Sequence, residues 1–291
     1  MNISTSALQE KNAKHLIQSF SDLSYIKNPE STHIISRADG VYIYDNDGKK
    51  ILDSMSGLWC VNMGYGQQSI IEAVNEQMKE LVYYNNFFGS SHPSAIKLSE
   101  MIANKTPEGM NKVYFCGSGS EANDTVVRLA RHYWAAKGKP SKSVIISRKN
   151  AYHGSTIAAS SLGGMSAMHD QTMGLNYIHH IDQPHWFERG GDLDEASFGI
   201  QAARELDAKI DELGEENVAA FIAEPVQGAG GVIIPPESYW PEIKRILDER
   251  DILFISDEVI CGFGRTGRWF GCETYGIEPD LITFAKAVTN G

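Results

Sequence analysis

The chain has 291 residues, of which 42% are hydrophobic and 22% charged, and it carries a formal net charge of −11. This is the composition of an ordinary globular protein, long enough for one large domain or two modest ones. The acidic balance argues against nucleic acid and anionic membranes as partners, since either needs a basic face.

The opening stretch, MNISTSALQEKNAKHLIQSF, has no apolar core of signal-peptide length. Its acidic residue and mixed polarity do not suit a transit peptide either. No window reaches the apolar length a bilayer demands, so a cytoplasmic protein is the expectation. Residues 1–65 read as an N-terminal arm or part of a small domain. Within them, VYIYDNDGKKILD alternates apolar and polar residues around Asp47-Gly48, the pattern of a hairpin. SIIEAVNEQMKELV then predicts a helix, with Ser69 as N-cap and Glu72 completing a capping box.

Residues 66–291 read as one large domain, and from about residue 112 the pattern is that of an α/β fold. Short apolar runs alternate with amphipathic segments, as in a mostly parallel sheet covered by helices on both faces. The runs are VYF at 113, VII at 144, AAFIA at 219, ILFI at 252 and LITFA at 281. Helices are expected over 121–137, closed by Gly138, and over 238–250, opened by Ser238. Cys60, Cys116, Cys261 and Cys272 show no CxxC or Cys/His spacing, so they are expected to be reduced, packed thiols with no metal among them.

Polar or glycine-rich chemistry follows each apolar run, at the carboxyl edge where open α/β sheets bind ligands. GSGSEAND offers small residues ahead of a helix start, with Ser118 and Glu121 at capping-box spacing. A phosphate fits free N–H groups there, and a well-capped helix is the plainer alternative. AYHG places Tyr152 where it could stack on a flat ligand or simply pack the sheet top; His153 alone carries no ligand signal. Asp257 directly follows a buried run, where a carboxylate is costly without a cationic partner, either an arginine or a protonated ring nitrogen. Glu224 raises the same question more weakly. Lys286 after LITFA is either a lysine that snorkels to solvent or a desolvated, nucleophilic amine. A phosphate cradle, a stacking ring, a buried Asp and such a lysine together fit one cofactor, pyridoxal phosphate.

LDSMSGLWCVNMGYG, GSGSEAND, AYHGST, AAFIAEPVQGAGGV, ISDEVICGFGRTG and PDLITFAKAVTNG, in that order, resemble the class III aminotransferases of pyridoxal-phosphate fold type I, in the ω-amino acid or amine:pyruvate branch. The resemblance implies that Lys286 forms the Schiff base and shuttles the proton, and that Asp257 pairs with the pyridine nitrogen. It implies that Ser118, Gly119 and Ser120 hold the phosphate. Tyr152 and Val259 would cover the two ring faces, His153 would join the cofactor contacts, and Glu224 would lie near the phenolic oxygen. Phe20, Trp59, Phe87, Phe88 and Tyr152 would wall the substrate, with core packing as the alternative for the aromatics.

The implied reaction passes an amino group from an amine, putrescine-like by the resemblance of GLWCVNMGYG and FIAEPVQGAGGVIIPPESYWP, to an α-keto acid such as pyruvate. A β-alanine or taurine transaminase, an aminomutase, or an inactive fragment that keeps only the fold are the other readings. The implied assembly is a homodimer with the active site at its interface. Members of that family continue past the lysine with another sheet strand and a small C-terminal domain. This sequence stops five residues after Lys286, so a fragment with an open sheet edge is the expectation.

Overall fold

The computed structural model describes residues 3–171 and 174–291. The chain forms two compact units, one reaching to Tyr84 and including Asn290 and Gly291, the other running from Asn85 to Thr289. Among the described residues, no helix is long and apolar enough to cross a membrane.

In the first unit, helix α1 (Thr5–His15) starts where the Ser4 hydroxyl accepts from the Ala7 N–H. Strands β1 (Ile35–Asp39), β2 (Tyr42–Asp45) and β3 (Lys50–Leu52) form an antiparallel sheet in that order. The hairpin turns where the sequence predicts. The Asp45 carboxylate accepts from the N–H groups of Asp47 and Lys49, and Gly48 takes the left-handed φ of 86° that a tight turn requires. Helix α2 (Gln68–Glu80) corrects the predicted cap. It begins after Gln67 with no side-chain cap, and Glu72 instead accepts from the Gln68 side chain. Ser69 already lies inside the first turn, where its hydroxyl cannot take the N-cap role.

The second unit opens with helices α3 (Pro93–Ala103) and α4 (Gly119–Ala136). It then alternates β4 (Val144–Arg148), α5 (Ile157–Leu162), β5 (Ile178–Ile181), α6 (Glu195–Leu213), β6 (Val218–Ala223), α7 (Tyr239–Glu249), β7 (Leu253–Asp257), α8 (Gly271–Tyr275) and β8 (Leu281–Thr283). The five strands pair in parallel in the order β5-β4-β6-β7-β8. Successive side chains on a strand point to opposite faces, and here both faces are covered. Ile146, Phe221, Ala223 and Phe254 pack with Phe198, Leu206, Trp240 and Ile243 of α6 and α7. Ile145, Ala220, Ile222 and Ile255 pack with Val126, Ala130, Trp134 and Leu162 of α4 and α5. That is why these strands read as unbroken apolar runs and not as alternating ones.

Three expectations need correction. The run at 113–115 is not a strand: it has no ladder partner among the described residues, and Tyr114 and Phe115 are exposed. A strand exists only where a neighbour takes its backbone N–H and C=O groups. The fifth strand is instead Ile178–Ile181, whose central His179 and His180 hide it from an apolar-run reading; only its two isoleucines are buried. Lastly, β8 stops at Thr283, because Phe284 turns into a ring cluster with Phe263 and Phe270. Ser238 does stand at the start of α7, but its hydroxyl donates to the Ala196 carbonyl and caps nothing.

Candidate active site

The segments after β4, β7 and β8 and the amino end of α4 converge on one cavity of about 270 Å³. Its lining holds Ser118, Gly119, Ser120, Tyr152, His153, Asp257, Val259 and Lys286. Every residue expected to bind the cofactor is there except Glu224, which lies behind Tyr152.

The amino end of α4 is built as its sequence predicts. The Ser118 hydroxyl accepts from the Glu121 N–H at 3.1 Å, and the Glu121 carboxylate accepts in return from the Gly117 N–H at 2.6 Å. Ser118 is thereby committed to capping. Ser120 Oγ accepts from the Ser155 N–H at 3.1 Å. Glycine is required at 154, and there is little room for a side chain at 119. A Cβ on Gly119 would come within 3.0 Å of Val259, and one on Gly154 within 2.4 Å of Ser120 Oγ.

Asp257 ends β7 at 2% exposure. Its Oδ2 accepts from His153 Nδ1 at 2.7 Å and from Asn123 Nδ2 at 2.8 Å, and its Oδ1 from the Val259 N–H at 3.0 Å. Among the described residues no arginine pairs with it; His153 bonds it instead, and the other ring nitrogen of His153 lies 3.1 Å from Ser147 Oγ. Three donors make burying this carboxylate tolerable. Glu224, at the end of β6, accepts from the N–H groups of Tyr152 at 3.2 Å and Gly228 at 3.0 Å. Burial pushes its carboxyl above the ordinary value, with the His153 imidazole opposing. Burial also raises the Tyr152 phenol, keeping it neutral at physiological pH.

Lys286 lies three residues beyond β8, opening a single 3₁₀ turn (Lys286–Val288), and is half-buried. The lysine is therefore neither sealed in the core nor extended into water, and it stands on the wall of the cavity.

The expected substrate aromatics are placed differently. Phe20 and Trp59 belong to the first unit; Phe87 and Phe88 belong to the second but do not line the cavity. Phe20, Trp59 and Phe88 share φ values of 51°, 60° and 55°. Bulky residues seldom take this left-handed conformation, and it concentrates at functional segments. Phe88 is fully exposed.

Sequence reasoning missed Asn123, Ser147 and Arg148. Asn123 was legible in principle, as an amide in the buried stripe Val126, Val127, Ala130 and Trp134 of α4. Arg148 is fully buried at the end of β4, donates to the Glu224 main-chain carbonyl and lies 5.4 Å from the Trp240 ring centroid. The thiols are mixed: all four cysteines are free, Cys261 and Cys272 packed as expected but Cys116 exposed.

The family profile Aminotransferase class-III matches residues 25–291. The chain belongs to the class-III aminotransferases. It is 55% identical to putrescine–pyruvate aminotransferase of Pseudomonas aeruginosa over 291 residues, which is all of this chain and 64% of that protein. It is 44% identical to diaminobutyrate–2-oxoglutarate transaminase of Halomonas elongata over 261 residues, 88% of this chain and 56% of that one. Among solved structures it superposes on a thermostable (S)-enantioselective omega-transaminase from Thermomicrobium roseum with a TM-score of 0.97 at 38% identity, covering 100% of this chain and 65% of that chain. The chain thus spans between 56% and 65% of the length of these relatives. Its fold is that of the type I pyridoxal-phosphate enzymes, and the family's cofactor is pyridoxal phosphate.

The cavity fits that cofactor on its own chemistry. Asp257 offers a carboxylate oxygen to a ring N–H, and Lys286 offers a primary amine to an aldehyde. The α4 amino end, with Gly119 and Gly154 left bare of side chains, is open to a phosphate.

Proposed function

We propose that this protein is an aminotransferase that moves an amino group from a putrescine-like amine to pyruvate. The observation carrying the reaction class is that Lys286, Asp257 and the α4 amino end share one cavity. The donor and acceptor are supported by the 55% identity to a putrescine–pyruvate aminotransferase over the whole chain.

When bound, pyridoxal phosphate supplies an aldehyde carbon that takes up amines and a ring that draws electrons from that carbon. In this reading Lys286 holds the aldehyde, and its Nζ takes the substrate's proton and returns it. Asp257, held by its three donors, would accept the N–H of the ring nitrogen. Ser120 and the N–H groups opening α4 hold the phosphate. Tyr152 and Val259 would cover the two faces of the ring, and Glu224, whose carboxyl burial raises, would serve the phenolic oxygen. Phe20, Trp59, Phe87 and Phe88 are proposed as walls for the apolar stem of the amine.

We further propose a homodimer with the site at its interface, and a cytoplasmic setting in keeping with four unpaired cysteines. Exposed Phe87 and Phe88, with ring centroids 6.0 Å apart, give the second unit an apolar spot for a partner copy to cover. Sedimentation should then show a dimer at micromolar concentration; a monomer throughout would refute that assembly.

The functional test is a visible spectrum of the chain loaded with pyridoxal phosphate and freed of excess. The retained band should bleach with putrescine and return with pyruvate. A band that ignores putrescine but responds to γ-aminobutyrate or β-alanine would keep the reaction class and replace the donor.

A further inference from the structure

Asn123 is fully buried on the inner face of α4. Its Nδ2 donates to Asp257 Oδ2 at 2.8 Å and to the His153 main-chain carbonyl at 2.7 Å. Both partners only accept, so the amide cannot be turned over: the nitrogen must face them. Its own Oδ1 is buried and meets no donor among the described residues. An amide kept for stability alone would be matched at both ends, because a buried unmatched acceptor is a cost.

The carboxylate it serves is unevenly satisfied. Oδ2 of Asp257 takes two donors, Asn123 Nδ2 and His153 Nδ1, whereas Oδ1 takes only the Val259 N–H. A carboxylate offers about four lone-pair sites over its two oxygens. Oδ2 is thus filled and Oδ1 has one site left, on a residue that lines the cavity.

We infer that Asn123 is a positioning residue: together with His153 it saturates Oδ2 of Asp257 and leaves Oδ1 as the oxygen that receives the ring N–H of a pyridinium-type cofactor. Asn123 also ties α4, which opens the proposed phosphate site, to the end of β7, which meets the ring. One side chain therefore sets the distance between the two. This inference rests on the cofactor reading above and adds to it the accepting atom and the residue that selects it.

The test is a double-variant cycle read by cofactor affinity, with the melting temperature of each cofactor-free chain measured in parallel. Pyridoxal phosphate is titrated into the wild-type chain, Asn123→Leu, Asp257→Asn and the combination. Asn123→Leu should weaken binding about tenfold or more, the scale of one hydrogen bond to a charged group. In the Asp257→Asn background it should change affinity by less than about twofold, since no carboxylate remains to be positioned.

Equal losses in both backgrounds would overturn the assignment, because a merely structural amide is missed whatever stands at 257. Should Asn123→Leu fail to fold, Asn123→Asp replaces it. That carboxylate set against Asp257 should lower the melting temperature, and exchanging the pair, Asn123→Asp with Asp257→Asn, should recover melting but not cofactor affinity. Recovery of both would overturn the role given to Asp257 Oδ1. A wild-type chain that binds no pyridoxal phosphate overturns the cofactor reading and this inference with it. Normal wild-type binding with equal losses overturns only the part given to Asn123.

Discussion

Gly154 stands at a φ of +130°, and any Cβ placed there would meet Ser120 Oγ at 2.4 Å and Ser120 Cα at 2.8 Å. Gly154→Ala must therefore both strain the backbone and push Ser120 off the amino end of α4. The strain alone is on the order of 1–3 kcal/mol. The expected result is a melting temperature lower by several degrees and a loss of pyridoxal-phosphate affinity larger than the stability loss accounts for. A titration beside a thermal melt separates the two. Lys286→Ala should leave the fold intact, because a half-buried lysine in a 3₁₀ turn contributes little core. It should abolish turnover and the covalent adduct while pyridoxal phosphate still binds more weakly. Full turnover in that variant would remove Lys286 from the chemistry.

At the scale of elements, α6 and α7 are pinned by Glu242, whose carboxylate accepts from Arg245 at 2.9 Å and from Arg204 at 2.9 Å. Arg245, and then Arg204, hold its carboxyl down at about 2 against an ordinary 4.5. A depressed carboxyl adds stability that is fully present above pH 4.5 and is lost as pH falls through about 2. Both arginines are largely exposed, so the contribution is about 1 kcal/mol or less. Glu242→Gln should melt a few degrees below wild type at pH 7, with the gap closing toward pH 2. A gap that persists in acid would assign it to packing instead.

Legibility also varies by element. β4, β6 and β7 were plain in the sequence because burial on both faces removes polar alternation. β5 was hidden, since an edge strand can leave two histidines half-buried between its isoleucines. The run at 113–115 was misread, because an apolar triplet looks like a strand whether or not a neighbour is there to pair with it. The cofactor residues were legible because each follows a strand end or a turn with its own chemistry. Asn123 was not singled out: a helix-face amide shows its purpose only once Asp257, 134 residues away in sequence, is seen beside it. The strained φ values at Phe20, Trp59 and Phe88 had no sequence signal at all.

At the scale of the whole second unit, the sheet is covered on both faces and the cavity lies at the carboxyl edge of its strands. Trp240 is fully buried against Phe254 at 5.5 Å between ring centroids, and its indole N–H donates to the Pro225 carbonyl at 3.2 Å, directly after Glu224. Trp240→Ala should destabilise the unit by about 3–5 kcal/mol. It should also loosen the turn that presents Glu224, so cofactor affinity should fall at temperatures where the variant remains folded. Unchanged affinity there would show that the turn is held without the indole.

The most direct measurement of the central claim is covalent. The chain is loaded with pyridoxal phosphate, reduced with borohydride, digested and read by mass spectrometry. A phosphopyridoxyl group on Lys286, absent from the other lysines and lost in Asp257→Asn or Lys286→Ala at matched cofactor concentration, is the predicted result. A group spread over surface lysines with no preference for Lys286 would contradict the account.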